Sequence, residues 1–503
     1  MRAIDRWAIE ERGIPSLELM ESAGTGVADA VSELEPNGPV RIVCGKGNNG
    51  GDGFVVARKL AEQGIETDTL MLWGPDELSP DARTNYDRLA SSGGKTREIE
   101  AGDLPGALAG SGAVVDALLG TGFTGQPRPP LDAAIDAING CDATVVAVDV
   151  PSGVDASTGE VGSPCVDADL TVTFHAAKLG LWVLPGKERA GHVDVIDIGI
   201  PDEESGPLTG FTAGLIEPQV LDLVPPRGIG SSKFSSGSVL VIGGSRGLTG
   251  APCMTSEAAM RAGAGWVRAA VPASLEAIFE QKLTEIMTVA LPDEDGSLTA
   301  AAAEPVLDAV ERADAVALGP GFGRRKAALA LARALSADIQ APLLIDADGL
   351  NALGKGGLET LRARDCGAVL TPHAGELARL LDVESRAVTA HRLRSAREAA
   401  ARADNTVVLK GDDSLVVDGE RTPIAVSPGG SPALATAGTG DVLSGVIAAF
   451  LSKGLPEFEA ACAGVYAHSQ AGWIAGTEYG VDSVIASDVI AALPAALRRP
   501  SDG

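Results

Sequence analysis

The sequence predicts an α/β protein built as two open, mostly parallel sheets, each covered by helices. Three observations point there. At 503 residues the chain exceeds one ordinary core, so two domains of roughly 200–300 residues are expected. Strand-like runs alternate with helical stretches along its whole length. Several of those runs end in glycine-rich loops, and with 45% apolar but only 3% aromatic residues the cores must rely on small side chains.

The first expected element is a helix over residues 16–34, where Leu17, Met20, Val27, Val31 and Leu34 recur at helical spacing. Strands are expected at 40–44, 67–73, 113–120, 144–151, 169–174 and 192–199. The polar, Gly- and Pro-rich segment 200–214 reads as a linker. A second series follows at 238–244, 265–272, 315–321, 342–349, 368–373, 406–411 and 414–419, with a long helix over 439–454. No short repeat or low-complexity tract interrupts either series.

Charge narrows the partners. A net charge of −28 leaves no basic footprint, so nucleic acid is not expected. The acidity is spread along the chain and arginine outnumbers lysine, which suits a surface solvated at high salt and a halophilic host; an ordinary acidic protein is the alternative. Six scattered cysteines without a C-x-x-C pair argue against a zinc site or disulfide framework and suit a reducing cytosol. The opening MRAIDRWAIEER has no apolar signal region, and no uncharged run reaches the ~18 residues of a membrane span. A cytoplasmic protein with no membrane partner is expected.

In open α/β sheets, ligands gather at the carboxyl ends of strands. After the first strand comes a G-x-G-x-x-G at Gly45, Gly47 and Gly50. Alone it fits a dehydrogenase loop, with Asp68 as the acidic ribose partner, or a plain tight turn. Two further loops, DALLGTGFTGQ (116–126) and VDVPSGVD (148–155), also combine glycines with a strand-end aspartate. Together they can cradle phosphates on backbone N–H groups beside carboxylates. Hydride transfer has no evident use for NNGGDG or DVPSG.

These stretches, with ADLTVTFHAAKLG (168–180) and IEERGIPSLELMESAG (9–24), resemble the NAD(P)H-hydrate epimerase domain, which has a Rossmann-like fold, over residues 1–213. The resemblance implies that Asn48, Asn49, Gly50, Gly51 and Asp52, with Gly120, Thr121, Gly122, Phe123, Thr124, Gly125 and Gln126, hold a cofactor hydrated at carbon 6 of its nicotinamide. It makes Asn49, Asp116 and Ser152 ligands of a potassium ion, a role suited to oxygen donors. Asp149 becomes the acid/base that interconverts R and S hydrates. Lys178 either supports that carboxylate or is a surface lysine with a buried stem.

The second half carries VLVIGGSRGLTGA (239–251), LGPGFG (318–323), IDADGLNAL (345–353), LTPHAGE (370–376), VLKGDDS (408–414) and AGTGDVLSG (437–445). G-T-G-D at a helix start offers N–H groups to anionic oxygens, with Asp441 placed to take a hydroxyl proton. A plain helix cap is the alternative. The set resembles the ADP/ATP-dependent NAD(P)H-hydrate dehydratase, a ribokinase-like fold, over residues 220–500. By that resemblance Ala251, Gly323 and His373 contact the hydrate, while Lys410, Gly411, Asp412, Asp413 and Ser414 bind the nucleotide and Gly440 its phosphates. Asp441 would deprotonate the ring hydroxyl for attack on a nucleotide phosphate, and loss of phosphate would restore the reduced nicotinamide. ADP, giving AMP and phosphate, is the favoured nucleotide, with magnesium bridging its phosphates.

Two stretches depart from that pattern. Ser232–Gly237 stands where the family has His-Lys-Gly, and Ser431-Pro432 where it has Asn-Pro. Asp346 and Asp348 either support the site or cap a strand and turn. The expected small-molecule partners are therefore NAD(P)H-hydrate and ADP, and a homo-oligomer is expected because ribokinase-like relatives associate. Two other readings stay open: a true small-molecule kinase in the second half, and a catalytically silent binding module in the first.

Overall fold

Seven parallel strands form the N-terminal sheet of this computed structural model, which describes residues 2–201, 213–419 and 423–498. They are β1 (Val40–Cys44), β2 (Thr67–Met71), β3 (Thr96–Glu98), β4 (Ala113–Ala117), β5 (Thr144–Val148), β6 (Leu170–Phe174) and β7 (His192–Ile196). Their order is β3-β2-β1-β4-β5-β6-β7. The reversal between β1 and β4 is the topological switch point at which Rossmann-like sheets bind ligands. Alternate residues of β1 serve opposite faces. Ile42 and Cys44 join the core under helices Ser16–Glu33 and Asn48–Glu62, while Val43 joins Leu104, Ile135 and Ile138 beneath the other layer.

The C-terminal unit, Thr212–Gly503, has a ten-stranded sheet. Its strands are β8 (Ala213–Leu215), β9 (Ser238–Ile242), β10 (Trp266–Pro272), β11 (Met287–Leu291), β14 (Ala315–Leu318), β15 (Leu343–Ile345), β16 (Ala368–Leu370), β17 (Thr406–Leu409), β18 (Leu415–Asp418) and β19 (Ile424–Val426); β12 (Asp293–Glu294) and β13 (Ser297–Leu298) form a separate hairpin. The order is β11-β10-β9-β14-β15-β16-β17-β18-β19-β8, parallel except where β18 pairs antiparallel with β17 and β19. Val239 and Val241 of β9 meet helices Gly250–Arg261, Thr439–Ser452 and Glu457–Tyr479 in one core.

Several expectations change. The expected linker at 200–214 falls largely on residues 202–212, outside the described ones, and its end is β8, paired with β19. The helix over 16–34 is Ser16–Glu33; it buries Met20, Val27 and Val31 as expected, together with Leu19, Ala23, Gly24 and Ala28, while Leu34 is exposed. Ala23, Gly24 and Ala28 complete its apolar stripe, small residues that a pattern of large side chains does not mark. Strands β3, β8, β11 and β19 and the helix Arg2–Glu10 were not anticipated.

Candidate active sites

In the N-terminal unit the ends of β1, β4 and β5 open onto a cavity of about 730 Å³. β1 turns into its loop at Gly45, where a Cβ would lie 2.1 Å from the Leu118 carbonyl oxygen; one on Gly50 would lie 1.9 Å from Gly45 O. Only glycine permits these approaches. Helix Asn48–Glu62 therefore starts against the loop after β4, with its unpaired first-turn N–H groups at the site. Asn48, Asn49 and Asp52 line the cavity from this side, and Gly120, Thr121, Gly122, Phe123 and Thr124 from the other. Gly50 and Gly51 serve packing instead, the latter against Met20 and Ala82. Gly125 and Gln126 lie beyond the lining; Gln126 Oε1 accepts a bond from Ser163 N (2.7 Å).

Asp116, at the end of β4, is fully buried. Its carboxylate accepts bonds from Ser152 Oγ (2.7 Å), Ser152 N (2.8 Å) and Leu118 N (3.2 Å). Burial nevertheless pushes its pKa up to about 6, against the pull of those bonds. Asn49 Nδ2 donates to Leu119 O (2.9 Å), which brings the third expected cation ligand to the same loop.

Asp149 directly follows β5 in a left-handed conformation (φ 66°), which turns its side chain out of the strand. Its Oδ1 meets the buried Lys178 Nζ at 2.7 Å and accepts a bond from Thr173 Oγ1 (3.1 Å). Lys178 also donates to Phe174 O (2.7 Å), so it is a built-in partner of Asp149 and not a surface lysine. Asp52 is pushed well above the usual carboxylate range, by burial first and then by the charges of Asp149 and Asp5. Asp68, the dehydrogenase candidate, sits at the start of β2 and pairs with Arg97 (3.1 Å) and Arg41 (3.5 Å). A ribose partner belongs at the strand's carboxyl end. There the chain places Trp73, which lines the cavity beneath Lys46.

In the C-terminal unit Lys410, Gly411, Asp412, Ser414 and Gly440 line a cavity of about 460 Å³, closed on its apolar side by Leu434, Leu443 and Val465. Asp413 is not in that wall: it is fully buried in an ion pair with Arg392 (2.6 and 2.8 Å) that anchors the loop. Lys410 Nζ meets Asp346 Oδ1 at 2.8 Å, and Asp346 Oδ2 accepts a bond from Ser444 Oγ (2.7 Å). Burial opposes both charges, yet mutual attraction wins: Asp346 is held below the usual range and Lys410 above it.

Asp441 occupies the first turn of helix Thr439–Ser452, whose N-cap Gly438 is left-handed. Burial, then the charge of Asp346, pushes it up to about 7, with Lys410 pulling down and Asp348 adding to the rise. Asp348 accepts bonds from Gly323 N (2.9 Å) and Asn351 Nδ2 (3.1 Å), so it fixes the glycine loop after β14. A Cβ added to Gly321 of that loop would lie 2.4 Å from Leu248 O and 3.3 Å from the Ala251 Cβ. His373 caps helix Ala374–Leu381, its Nδ1 accepting from Gly375 N (3.0 Å) and Glu376 N (3.3 Å). Burial holds His373 below the usual histidine value. Ser431, in place of asparagine, still caps its short helix by accepting from Ala433 N (3.3 Å).

Known proteins fit both halves. A family model described as NAD(P)H-hydrate dehydratase matches residues 239–495, and one described as YjeF-related protein N-terminus matches residues 16–180. The bifunctional NAD(P)H-hydrate repair enzyme of Moorella thermoacetica is 39% identical, over 99% of this chain and 96% of its own. That of Salinibacter ruber is 40% identical, over 98% and 94%. The chain belongs to the bifunctional NAD(P)H-hydrate repair enzyme family. Among solved structures, the ADP/ATP-dependent NAD(P)H-hydrate dehydratase of Bacillus subtilis, co-crystallized with ATP/Mg2+, is 25% identical with a TM-score of 0.48, over 55% of this chain and 94% of that one. A ribokinase-like superfamily protein from Enterococcus faecalis is 26% identical with a TM-score of 0.47, over 55% and 92%.

Several lining residues of this family member were not expected from sequence, Asp5, Trp73 and His468 among them. Asp5 and Trp73 line the first cavity, and His468 lines the second. His468 Nε2 is buried without a hydrogen-bond partner among the described residues, and burial pushes the ring's pKa down to about 4, so it stays neutral. None of the three lies in a glycine loop at a strand end, although Trp73 comes only two residues past β2.

Proposed function

We propose that this chain repairs hydrated NADH and NADPH: the first unit equilibrates the R and S hydrates, and the second dehydrates the S form using ADP. Family membership along nearly the full chain supports both activities. The observation that carries the chemistry is Asp441: a carboxyl pushed up to about 7 at a helix N-terminus, beside the Lys410–Asp346 pair. Such a group can take a proton near neutrality.

Asp441 takes the proton of the C6 hydroxyl, and the oxygen attacks the terminal phosphorus of ADP, displacing AMP. Phosphate then leaves C6 as C5 loses a proton, which restores the ring double bond. Lys410 and the N–H groups around Gly440 offset the negative charge on the transferring phosphoryl group. Magnesium, carried on the nucleotide's phosphates, would screen their charge. Gly323, Ala251 and His373 would face the hydrate.

In the first unit Asp149, oriented by Lys178 and Thr173, is the acid/base, and Asn48, Asn49 and Asp52 at the helix start, with the loop 120–124, hold the hydrate. Asn49, Asp116 and Ser152 fit a potassium ion. Asp116 is a buried carboxylate whose close neighbours are neutral donors, and a bound cation would supply the missing positive charge. The six unpaired cysteines support a cytoplasmic setting, and the net charge of −28 a high-salt host. No described helix is long and apolar enough to cross a membrane.

A single-turnover run with S hydrate, ADP and magnesium tests the second activity. Reduced nicotinamide, AMP and phosphate should form one for one. A stable phosphorylated alcohol made from ATP would replace this reading with a kinase.

A further inference from the structure

The epimerisation assigned to the first unit moves protons in two directions, and one aspartate does not explain both. Opening the hydrate ring at C6 requires removal of the hydroxyl proton and delivery of a proton to N1 as the C6–N1 bond breaks. An aldehyde and a neutral enamine result. Rotation about C5–C6 and reclosure, with both protons returned, gives the other epimer. The cavity therefore needs a base and an acid.

Asp149 suits the base, since its carboxylate lies 2.7 Å from the Lys178 ammonium. The same cavity holds a second reachable carboxyl, Asp5. It sits on helix Arg2–Glu10, which Ile4, Trp7 and Ala8 anchor in the core, and it shares with Ile9, one turn on, the face that lines the cavity. Resting on the assignment of epimerase chemistry to this unit, we propose that Asp5 is the proton donor that works opposite Asp149.

The surroundings of Asp5 favour a held proton. Burial raises its pKa first, and the charge of Asp149 adds to this; the amino terminus, Lys178 and His175 pull the other way without cancelling it. Asp52, Asp81 and Lys46 also line the cavity; Asp52 is more deeply buried than Asp5 and feels the charges of Asp149 and Asp5. A carboxyl salt-bridged to a lysine and a second one in the same cavity, raised by burial, can divide the two proton transfers between them.

The test starts from purified S hydrate without nucleotide and follows the appearance of R hydrate, from pH 5 to 9, for the full chain and its Asp5→Asn and Asp5→Glu variants. The expected result for Asp5→Asn is a kcat lower by about 100-fold. Its KM should be little changed, and the decline in rate at high pH seen in the parent should be gone. Asp5→Glu should recover part of the rate and the high-pH decline. ADP-dependent recovery of S hydrate by the second unit should be the same in all three, which shows that the chain is folded. An Asp5→Asn enzyme with parental kcat and pH profile would overturn the proposal. So would one whose loss lies wholly in KM, which would make Asp5 a binding residue. A parent chain that does not speed R formation at all would instead overturn the epimerase assignment itself.

Discussion

At the residue scale, function rests on carboxyl groups whose surroundings fix their protonation. Asp441 must be ionised to accept the hydroxyl proton, so dehydration of S hydrate should be slow in acid. With its pKa pushed up to about 7, kcat/KM should rise about tenfold per pH unit below 7 and level off above it. A stopped-flow pH series checks this; Asp441→Asn should lose about 100-fold or more and the pH dependence with it. Asp116 makes a separate claim. If its buried charge awaits a cation, potassium should stabilise the parent by about 3 kcal/mol at roughly 100 Kd, relative to tetramethylammonium at equal ionic strength. Asp116→Asn should abolish that difference in thermal melts. The aspartates singled out from sequence, Asp116, Asp149 and Asp346, sit at strand ends a few residues ahead of a glycine, where loops converge on the crevice. Asp5 was not legible, because nothing in RAIDRWAIE shows which turn of that helix meets a loop 140 residues away.

At the element scale, the loop after β1 works because glycines let backbones meet. Gly50→Ala would drive a Cβ to 1.9 Å from Gly45 O, whereas Gly47→Ala would meet nothing within 4 Å and Gly47 already has φ −88°. Gly50→Ala should destabilise the N-terminal unit by about 3 kcal/mol or more, and Gly47→Ala by well under 1, in urea titrations of the full chain. Equal costs would show that the loop relaxes freely. The starts of β1, β4, β5 and β9 were readable as Val-rich runs buried on both faces, but only β1 ends where expected: the expected runs 113–120, 144–151 and 238–244 overshoot Ala113–Ala117, Thr144–Val148 and Ser238–Ile242. The three-residue strands β3, β8 and β19 were not, because pairing with a neighbour rather than any pattern of their own makes them strands. His373 shows a further limit: the TPHAGE motif pointed to a ligand, and the same side chain also caps a helix.

At the scale of the whole molecule, the chain divides into two units with separate cavities and separate chemistry. Loss of one activity should therefore leave the other intact: Asp149→Asn should stop epimerisation without slowing dehydration of S hydrate. The charge of −28 predicts that the chain unfolds at low ionic strength and gains stability up to molar salt, as read by circular dichroism. Full stability and activity without added salt would remove the halophilic reading. The central claim is that both halves act on one damaged cofactor. Its most direct test is recovery of reduced-nicotinamide absorbance from a mixed R and S hydrate, with ADP, magnesium and potassium in high salt. The account predicts complete recovery in the parent, a stall after the S fraction in Asp149→Asn, and none in Asp441→Asn. A parent that stalls after the S fraction would contradict the role of the N-terminal unit, and one that recovers nothing with any nucleotide would contradict the whole.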